Sequence, residues 1–332
     1  MRAMVMAAGL GTRLRPLTWD VPKPMVPVAN RPVIEHILRL LARHEVRDVI
    51  SNLHWFPDTI RDHLGDGSDL GISLTYEYES ELLDTAGGVH NVRDFLTADG
   101  DGFIVMAGDA LTDVDISALA AAHAAHDGIA TMTVTRVKDV SEYGVVVTGS
   151  DGRVQGFQEK PDPAEALSDL ANCMIYAFDA EIFDHFPSDP RVDWAKDIFP
   201  ALLDSDVPFY VHESEGYWND VGSLPEYLQG NLDAVEGLVE LEPLGEIVEL
   251  GDEKADDEGD GPFEGSGRVL VGPDSRIDPS ARIDGPAVIG AGTSIAAGAM
   301  VKRSVLLPRA EVAEDALLAG SIAGLRGSLV HG

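Results

Sequence analysis

Residues 1–235 predict an α/β domain and residues 268–326 a β-helix, with an acidic linker over 236–267 between them. Three features carry this reading. Short apolar runs alternate with helical patterns through the first 125 residues, the rhythm of a parallel sheet covered by helices. A loop with two glycines, Gly9 and Gly11, follows directly on the first apolar run. Towards the C-terminus an aliphatic residue recurs at every sixth position.

The strand-like runs fall at Arg2–Ala7, Val46–Asn52, Ile72–Glu77 and Phe103–Ala107. Helical patterns fill the intervals at Pro32–Arg43, Pro57–Leu64 and Gly87–Leu96, with Pro32 suited to a first helical position. A further helix spans Ile116–His126 with Asp115 as its N-cap. The β pattern resumes at Ile129–Val137, Gly144–Thr148, Val154–Gln158 and Asn172–Phe178. Ser150-Asp151-Gly152-Arg153 reads as a hairpin turn within it. A helix over Leu224–Val235 closes the domain. In such sheets ligands bind beyond the carboxyl ends of the strands.

The loop after the first strand has the chemistry of a phosphate site. Glycines admit backbone N–H groups close to an anion. Arg13 and Arg15, then Lys23 framed by Pro22 and Pro24, supply neutralising charge. It is neither of the two commonest phosphate loops. Leu14 stands where a dinucleotide fingerprint needs its third glycine, and no Gly-Lys-Ser/Thr follows. Two further stretches draw attention. Asp84-Thr85-Ala86-Gly87-Gly88 places small residues at a helix start, where N–H groups favour anions. Gly108-Asp109 puts a carboxylate just past an apolar strand. Taken singly, each of these stretches also fits an ordinary turn or helix start.

AAGLGTRLRPLT followed by PKPMVPVANRPVIEHIL resembles the signature of sugar-1-phosphate nucleotidylyltransferases, most closely the mannose-1-phosphate guanylyltransferase branch. The resemblance runs through most of the chain. It implies a Rossmann-like mixed sheet carrying the catalytic site, followed by a left-handed parallel β-helix. The implied substrates are an NTP, foremost GTP, and a sugar 1-phosphate, foremost mannose 1-phosphate, and the products are a nucleotide sugar and pyrophosphate. Ala7, Ala8, Gly9, Gly11, Thr12, Arg13, Lys23, Thr85, Ala86 and Gly87 are then the nucleotide contacts. Gly108, Tyr143, Gly144, Glu159, Lys160 and Asn172 are the sugar-phosphate contacts. Trp218-Asn219-Asp220-Val221-Gly222 matches the family's Trp-x-Asp-x-Gly, which makes Asp109 and Asp220 the Mg²⁺ ligands. With Arg13 and Lys23 these two form the implied catalytic set. Trp194–Pro200 resembles a structural helix of the family, with Lys196 near the sugar edge. The chain departs from the pattern twice: Asp84 and Met174 stand where the family has glycine. Two other readings stay open, a glucose-1-phosphate thymidylyl- or uridylyltransferase and a non-catalytic subunit that senses nucleotide sugars. Because Arg13, Lys23, Asp109, Lys160 and Asp220 are all present, the active reading is preferred.

The stretch after Glu236 is dense in Glu, Asp and Gly, with Gly251–Asp260 at its centre, and reads as a charge-extended linker. Val271, Ile277, Ile283, Ile289, Ile295, Val301 and Leu307 then keep the six-residue period. Small side chains, Ser275, Ala281, Ala287, Thr293 and Ala299, follow the first five by four residues. Seven hexads imply between two and three coils. Hexapeptide helices that transfer acyl groups use a histidine, and none lies between Val271 and Ala319. The module therefore reads as an assembly or lid element, and a homo-oligomer through it is expected.

Composition narrows the partners. Fifty-seven acidic residues stand against 24 Lys and Arg, a net charge of −33, so nucleic acid is a poor partner. The acidic surface fits solubility in a salty medium. No apolar run reaches the roughly 18 residues of a membrane span, so no membrane partner is expected. The chain enters a strand at once, without a signal-peptide layout, and its single Cys173 precludes an internal disulfide. Both features point to the cytoplasm.

Overall fold

The computed structural model describes residues 1–251, 263–325 and 328–331. In chain order the elements begin with β1 (Arg2–Met6), the hairpin β2 (Pro27–Val28) and β3 (Arg31–Pro32), and α1 (Val33–Arg43). Next come β4 (Asp48–Leu53), α2 (Pro57–Leu64), β5 (Ser73–Tyr78), α3 (Asp84–Asn91), α4 (Arg93–Leu96), β6 (Phe103–Ala107) and β7 (Leu111–Thr112). They continue with α5 (Ile116–Ala124), β8 (Ala130–Arg136), β9 (Gly144–Thr148), β10 (Val154–Glu159), β11 (Leu170–Phe178), α6 (Phe199–Asp204), β12 (Tyr210–Glu213), β13 (Trp218–Asn219) and α7 (Leu224–Glu236). The chain divides into two compact units. The first comprises residues 1–10, 37–110 and 114–218, and the second residues 11–36, 111–113 and 219–332.

The first unit is a mixed sheet in the order β10-β9-β11-β6-β1-β4-β5, with β8 and β12 branching from β11. Strands β6, β1, β4 and β5 run parallel, and β11 returns antiparallel to β6. Ala3, Met4 and Val5 are fully buried, as a central parallel strand covered on both faces requires. An aromatic cluster anchors the far side, where Phe178 stacks on Trp194 with centroids 4.6 Å apart. Asp115 caps α5 by accepting the Ala118 N–H at 2.8 Å. Three boundaries differ from expectation. Pro32 belongs to β3 and precedes α1. The helix expected from Gly87 begins at Asp84 and breaks at Val92 into α3 and α4. The α5 helix stops at Ala124 because His126 turns its imidazole to the Thr131 hydroxyl, 2.8 Å away.

In the second unit α7 packs on the β2–β3 hairpin, and beyond it lies a β-helix. Strand β14 (Glu246–Leu250) falls within the stretch read as linker and pairs antiparallel with β15 (Glu264–Val271). The centre of that linker, residues 252–262, lies outside the described residues. The coil strands follow: β16 (Arg276–Ile277), β17 (Arg282–Asp284), β18 (Ala287–Ile289), β19 (Ser294–Ile295), β20 (Met300–Lys302), β21 (Val305–Leu306), β22 (Glu311–Val312), β23 (Leu317–Ala319) and β24 (Ser321–Leu325). They stack in parallel as β15-β18-β21-β24, β16-β19-β22 and β15-β17-β20-β23, more layers than two to three coils would supply. Ile283, Ile289, Ile295 and Val301 line the interior, as their period predicts. The seventh position does not hold its period. Leu306, not Leu307, pairs beneath Ile289. The coil shortens by one residue at the corner where Arg303 takes a left-handed φ of 45°. No helix among the described residues is long and apolar enough to cross a membrane.

Candidate active site

A pocket of about 240 Å³ opens in the first unit beyond the carboxyl ends of its parallel strands. Met6 and then Ala8 and Gly9 come from the end of β1, Asn52 from β4, Glu79 from just past β5, and Ala107 and Asp109 from β6. Leu82, Asp84, Thr85 and Met174 complete the wall. Of the predicted nucleotide contacts in this unit, Ala8, Gly9 and Thr85 line the pocket, and so does the predicted metal ligand Asp109.

Ala7, Ala86 and Gly87 serve the frame instead. The Ala7 N–H donates to Asn52 Oδ1 at 2.8 Å. The N–H groups of Ala86 and Gly87 both donate to the Val192 carbonyl, at 2.8 and 2.9 Å, so they are spent on the protein rather than offered to an anion. Gly87 must be glycine for packing, because a Cβ there would sit 2.2 Å from the Pro190 carbonyl oxygen. The Thr85 hydroxyl donates to Asp193 Oδ2 at 2.9 Å and accepts the Trp194 N–H, tying this loop to residues 192–196. Lys196 lies exposed on that turn.

Both departures from the family's glycines carry positive φ, Asp84 at 60° and Met174 at 57°. A glycine would adopt these angles without strain. Met174 is held by its neighbours. Its N–H donates to Asn172 Oδ1 at 2.9 Å, and Asn172 Nδ2 donates to the Tyr176 hydroxyl at 2.9 Å. This bulge interrupts the pairing of β11 with β8 and turns the Met174 side chain into the pocket wall.

Of the predicted sugar-phosphate contacts, Tyr143, Gly144, Glu159 and Lys160 lie together at the β9–β10 hairpin on the sheet edge. The β9–β10 hairpin pairs Gly144 with Glu159, and the Lys160 N–H donates to the Tyr143 carbonyl at 3.1 Å. Strand β11 meets β9 at Ala171, one residue before Asn172. Glu159 and Lys160 are exposed, while Tyr143 is half-buried against the edge of Trp218. Gly108, between the pocket residues Ala107 and Asp109, donates its N–H to the Met6 carbonyl at 2.8 Å.

Sequence reasoning missed Asn52 and Glu79. Glu79 is a carboxylate only 4% exposed. Its Oε1 accepts Asn52 Nδ2 at 2.7 Å and its Oε2 the Leu83 N–H at 3.2 Å. A polar pair closing two neighbouring strands, Asn52 near the end of one and Glu79 just past the next, was the available signal.

The second unit holds the cationic loop. Gly11 has φ 60°, and a Cβ there would lie 2.7 Å from the Lys23 Cβ, so glycine lets the loop close onto the lysine. Thr12, Arg13 and Arg15 are exposed. Lys23 is almost buried and donates from Nζ to the Asp220 carbonyl at 3.0 Å. The Asp220 carboxyl is half-buried and accepts the Gly222 N–H at 3.1 Å. Burial first, and then the negative charge of Glu226, push its pKa up to about 6, against the pull of Lys23. Among the described residues no three His, Cys, Asp or Glu side chains gather as a metal cluster.

A family model described as nucleotidyl transferase matches residues 2–237, and one described as GMPPB C-terminal domain matches residues 265–330. Among curated proteins, a UTP–glucose-1-phosphate uridylyltransferase of Synechocystis is 38% identical over 73% of this chain and 64% of its own length. A mannose-1-phosphate guanylyltransferase of Mycobacterium tuberculosis is 35% identical over 71% of this chain and 65% of its own. A mannose-1-phosphate guanyltransferase of Schizosaccharomyces pombe is 35% identical over 69% and 63%. The match thus spans slightly under two thirds of each of these relatives. A solved structure described as a putative glucose-1-phosphate thymidylyltransferase from Bacillus anthracis, in complex with a sucrose, shares the fold. It is 24% identical with a TM-score of 0.62, over 70% of this chain and 94% of that one.

Proposed function

The chain belongs to the nucleotidyl transferase family, and we propose that it transfers a guanylyl group from GTP to mannose 1-phosphate, releasing pyrophosphate. The observation that carries the base is Glu79. A buried carboxylate on a pocket wall accepts hydrogen bonds and offers none. Guanine presents two adjacent donors, N1–H and the 2-amino group, which a carboxylate can accept together. Uracil and thymine present one N–H between two carbonyl oxygens, and a carboxylate repels both oxygens. The relatives named for guanylyl transfer to mannose 1-phosphate support the same choice. The uridylyltransferase relative keeps uridylyl transfer to glucose 1-phosphate as the second reading.

In the proposed reaction an oxygen of the sugar phosphate attacks the α-phosphorus of the nucleotide, and the bond to pyrophosphate breaks. The attacking phosphate is already ionised near neutral pH, so no general base is required. Charge repulsion and alignment are the obstacles. Arg13 is assigned to the α-phosphate and the departing pyrophosphate, Lys23 to the nucleotide phosphates and Lys160 to the sugar phosphate. Asp109 and Asp220 are the proposed Mg²⁺ ligands. Two hard carboxylate oxygens suit an ion that takes its remaining ligands from phosphates and water. An ion so held would neutralise charge that shifts in the transition state. The β-helix is assigned to self-assembly.

Pyrophosphate release by the purified chain, measured with GTP, UTP and dTTP against mannose and glucose 1-phosphates in Mg²⁺, tests the reading. GTP with mannose 1-phosphate should give the highest kcat/KM. A preference for UTP would replace the guanylyl assignment, and no release with any pair would end the catalytic one.

A further inference from the structure

The cationic loop is held from the C-terminal side of the chain. Residues 11–36 cluster in one compact unit with α7 and the β-helix. The link runs through the β2–β3 hairpin, which begins four residues after Lys23. Its turn residues, Ala29 and Asn30, both have left-handed backbones, at φ 47° and 67°. Asparagine enters that region more readily than alanine, for which it is strained, so the turn depends on its surroundings.

Those surroundings are specific. The Tyr227 hydroxyl donates to the Pro27 carbonyl at 2.6 Å, and Asn231 Oδ1 accepts the Ala29 N–H at 3.0 Å. Both side chains belong to α7 and are fully buried. The Leu244 N–H donates to the Ala29 carbonyl at 3.0 Å. Asn30, 8% exposed, donates both hydrogens of Nδ2 to carbonyls: to Leu244 at 3.1 Å and to Ile289 of β18 at 3.0 Å. Two acceptor carbonyls leave its amide only one satisfactory orientation. The same α7 starts four residues past Asp220, whose carbonyl receives Lys23. One end of the hairpin therefore leads to Lys23, and the other side is fastened to the β-helix.

We infer that Asn30 is a positioning residue for nucleotidyl transfer: by bonding the Leu244 and Ile289 carbonyls it fixes the loop that carries Lys23 to the β-helix. This rests on the reading of Lys23 as a phosphate ligand. It gives the β-helix a part in turnover within one chain, in addition to any part in assembly.

Two full-length variants test it. N30G keeps the left-handed backbone and removes both bonds. N30D keeps the shape and presents a carboxylate to two carbonyl oxygens. Each should lower kcat/KM for the nucleotide by about tenfold or more, as displacement of a phosphate ligand does, with KM for the sugar phosphate within about twofold. Relative to wild type, N30D should recover as pH falls, because the introduced carboxyl regains a donor once protonated, whereas N30G should show no such trend. Folding is checked by far-UV dichroism, and N30G is the variant judged if N30D fails to fold. Folded variants whose nucleotide kinetics match an active wild type would overturn the clamp alone. A wild type that releases no pyrophosphate with any pair would overturn the underlying reading, and Asn30's role with it.

Discussion

Asn52 and Glu79 share a hydrogen bond of 2.7 Å, Nδ2 to Oε1, inside the pocket at the strand ends. Asn52 also accepts the Ala7 N–H on Oδ1, so its amide is locked and must donate towards the carboxylate. Glu79 is thereby fixed as an acceptor. In Glu79→Gln the amide oxygen can keep the Asn52 bond while the amide nitrogen replaces the oxygen that accepts the Leu83 N–H, losing that bond and presenting a donor to the base. A hydrogen bond to a charged group contributes about 1.5–3 kcal/mol, so GTP kcat/KM should fall roughly ten- to hundredfold. UTP and dTTP should gain. Competition assays with mixed nucleotides read the ratio directly, and an unchanged ratio would show that Glu79 does not face the base.

Gly87 tests the frame without touching the chemistry. In Gly87→Ala the new Cβ meets the Pro190 carbonyl oxygen, and relief requires moving the Val192 carbonyl that receives two N–H groups. Overpacking of this kind costs about 1–3 kcal/mol. The midpoint of the first unfolding transition should drop by roughly 2–10 °C. Calorimetry checks it, and a melt like that of wild type would mean the 190–192 loop yields freely.

Asp220 gives the pH dependence. Its folded pKa, about 6, lies above the ordinary carboxylate value, so the folded chain favours the protonated acid. Its stabilising contribution is therefore complete below about pH 4 and is lost as pH rises through about 6. Asp220→Asn removes the charge and keeps an acceptor for the Gly222 N–H. With EDTA present, the variant should match wild type near pH 4 and exceed it increasingly up to about pH 6.5, by about 1–3 kcal/mol. Urea titrations at several pH values measure this difference. A constant offset across that range would mean that burial does not strain the charge.

The contrast between Asp109 and Asn52 explains what a linear reading finds. Asp109 follows a glycine and an apolar run, and the phosphate loop has its own punctuation of Gly and Pro, so both were visible as motifs. Asn52 and Glu79 sit 27 residues apart. They meet because β4 and β5 run parallel in the register that pairs Leu53 with Tyr78, and no local spacing encodes that register. Ala86 and Gly87 resembled an open helix N-terminus because the carbonyl that fills it, Val192, comes from over a hundred residues later. The shortened coil was hidden for a simpler reason. Leu306 and Leu307 are both apolar and both buried, so the six-residue count continues past the slip.

Lys160 and Asp109 separate binding from turnover. Lys160 is exposed at the end of β10, with a left-handed φ of 45° and its N–H on the Tyr143 carbonyl. Its ammonium therefore reaches solvent from a fixed backbone, beside Gly144 and Glu159. If it grips the sugar phosphate equally before and during reaction, Lys160→Ala should raise KM for that substrate by about tenfold or more and leave kcat within about threefold. Asp109 lines the pocket itself, at the point where β6 ends. As a metal ligand it would act on charge that develops in the transition state, so Asp109→Ala should cost about a thousandfold or more in kcat. Steady-state kinetics with each substrate varied in turn distinguishes the two effects. Near-normal turnover in Asp109→Ala would remove the metal assignment, and an unchanged sugar-phosphate KM in Lys160→Ala would remove the phosphate grip.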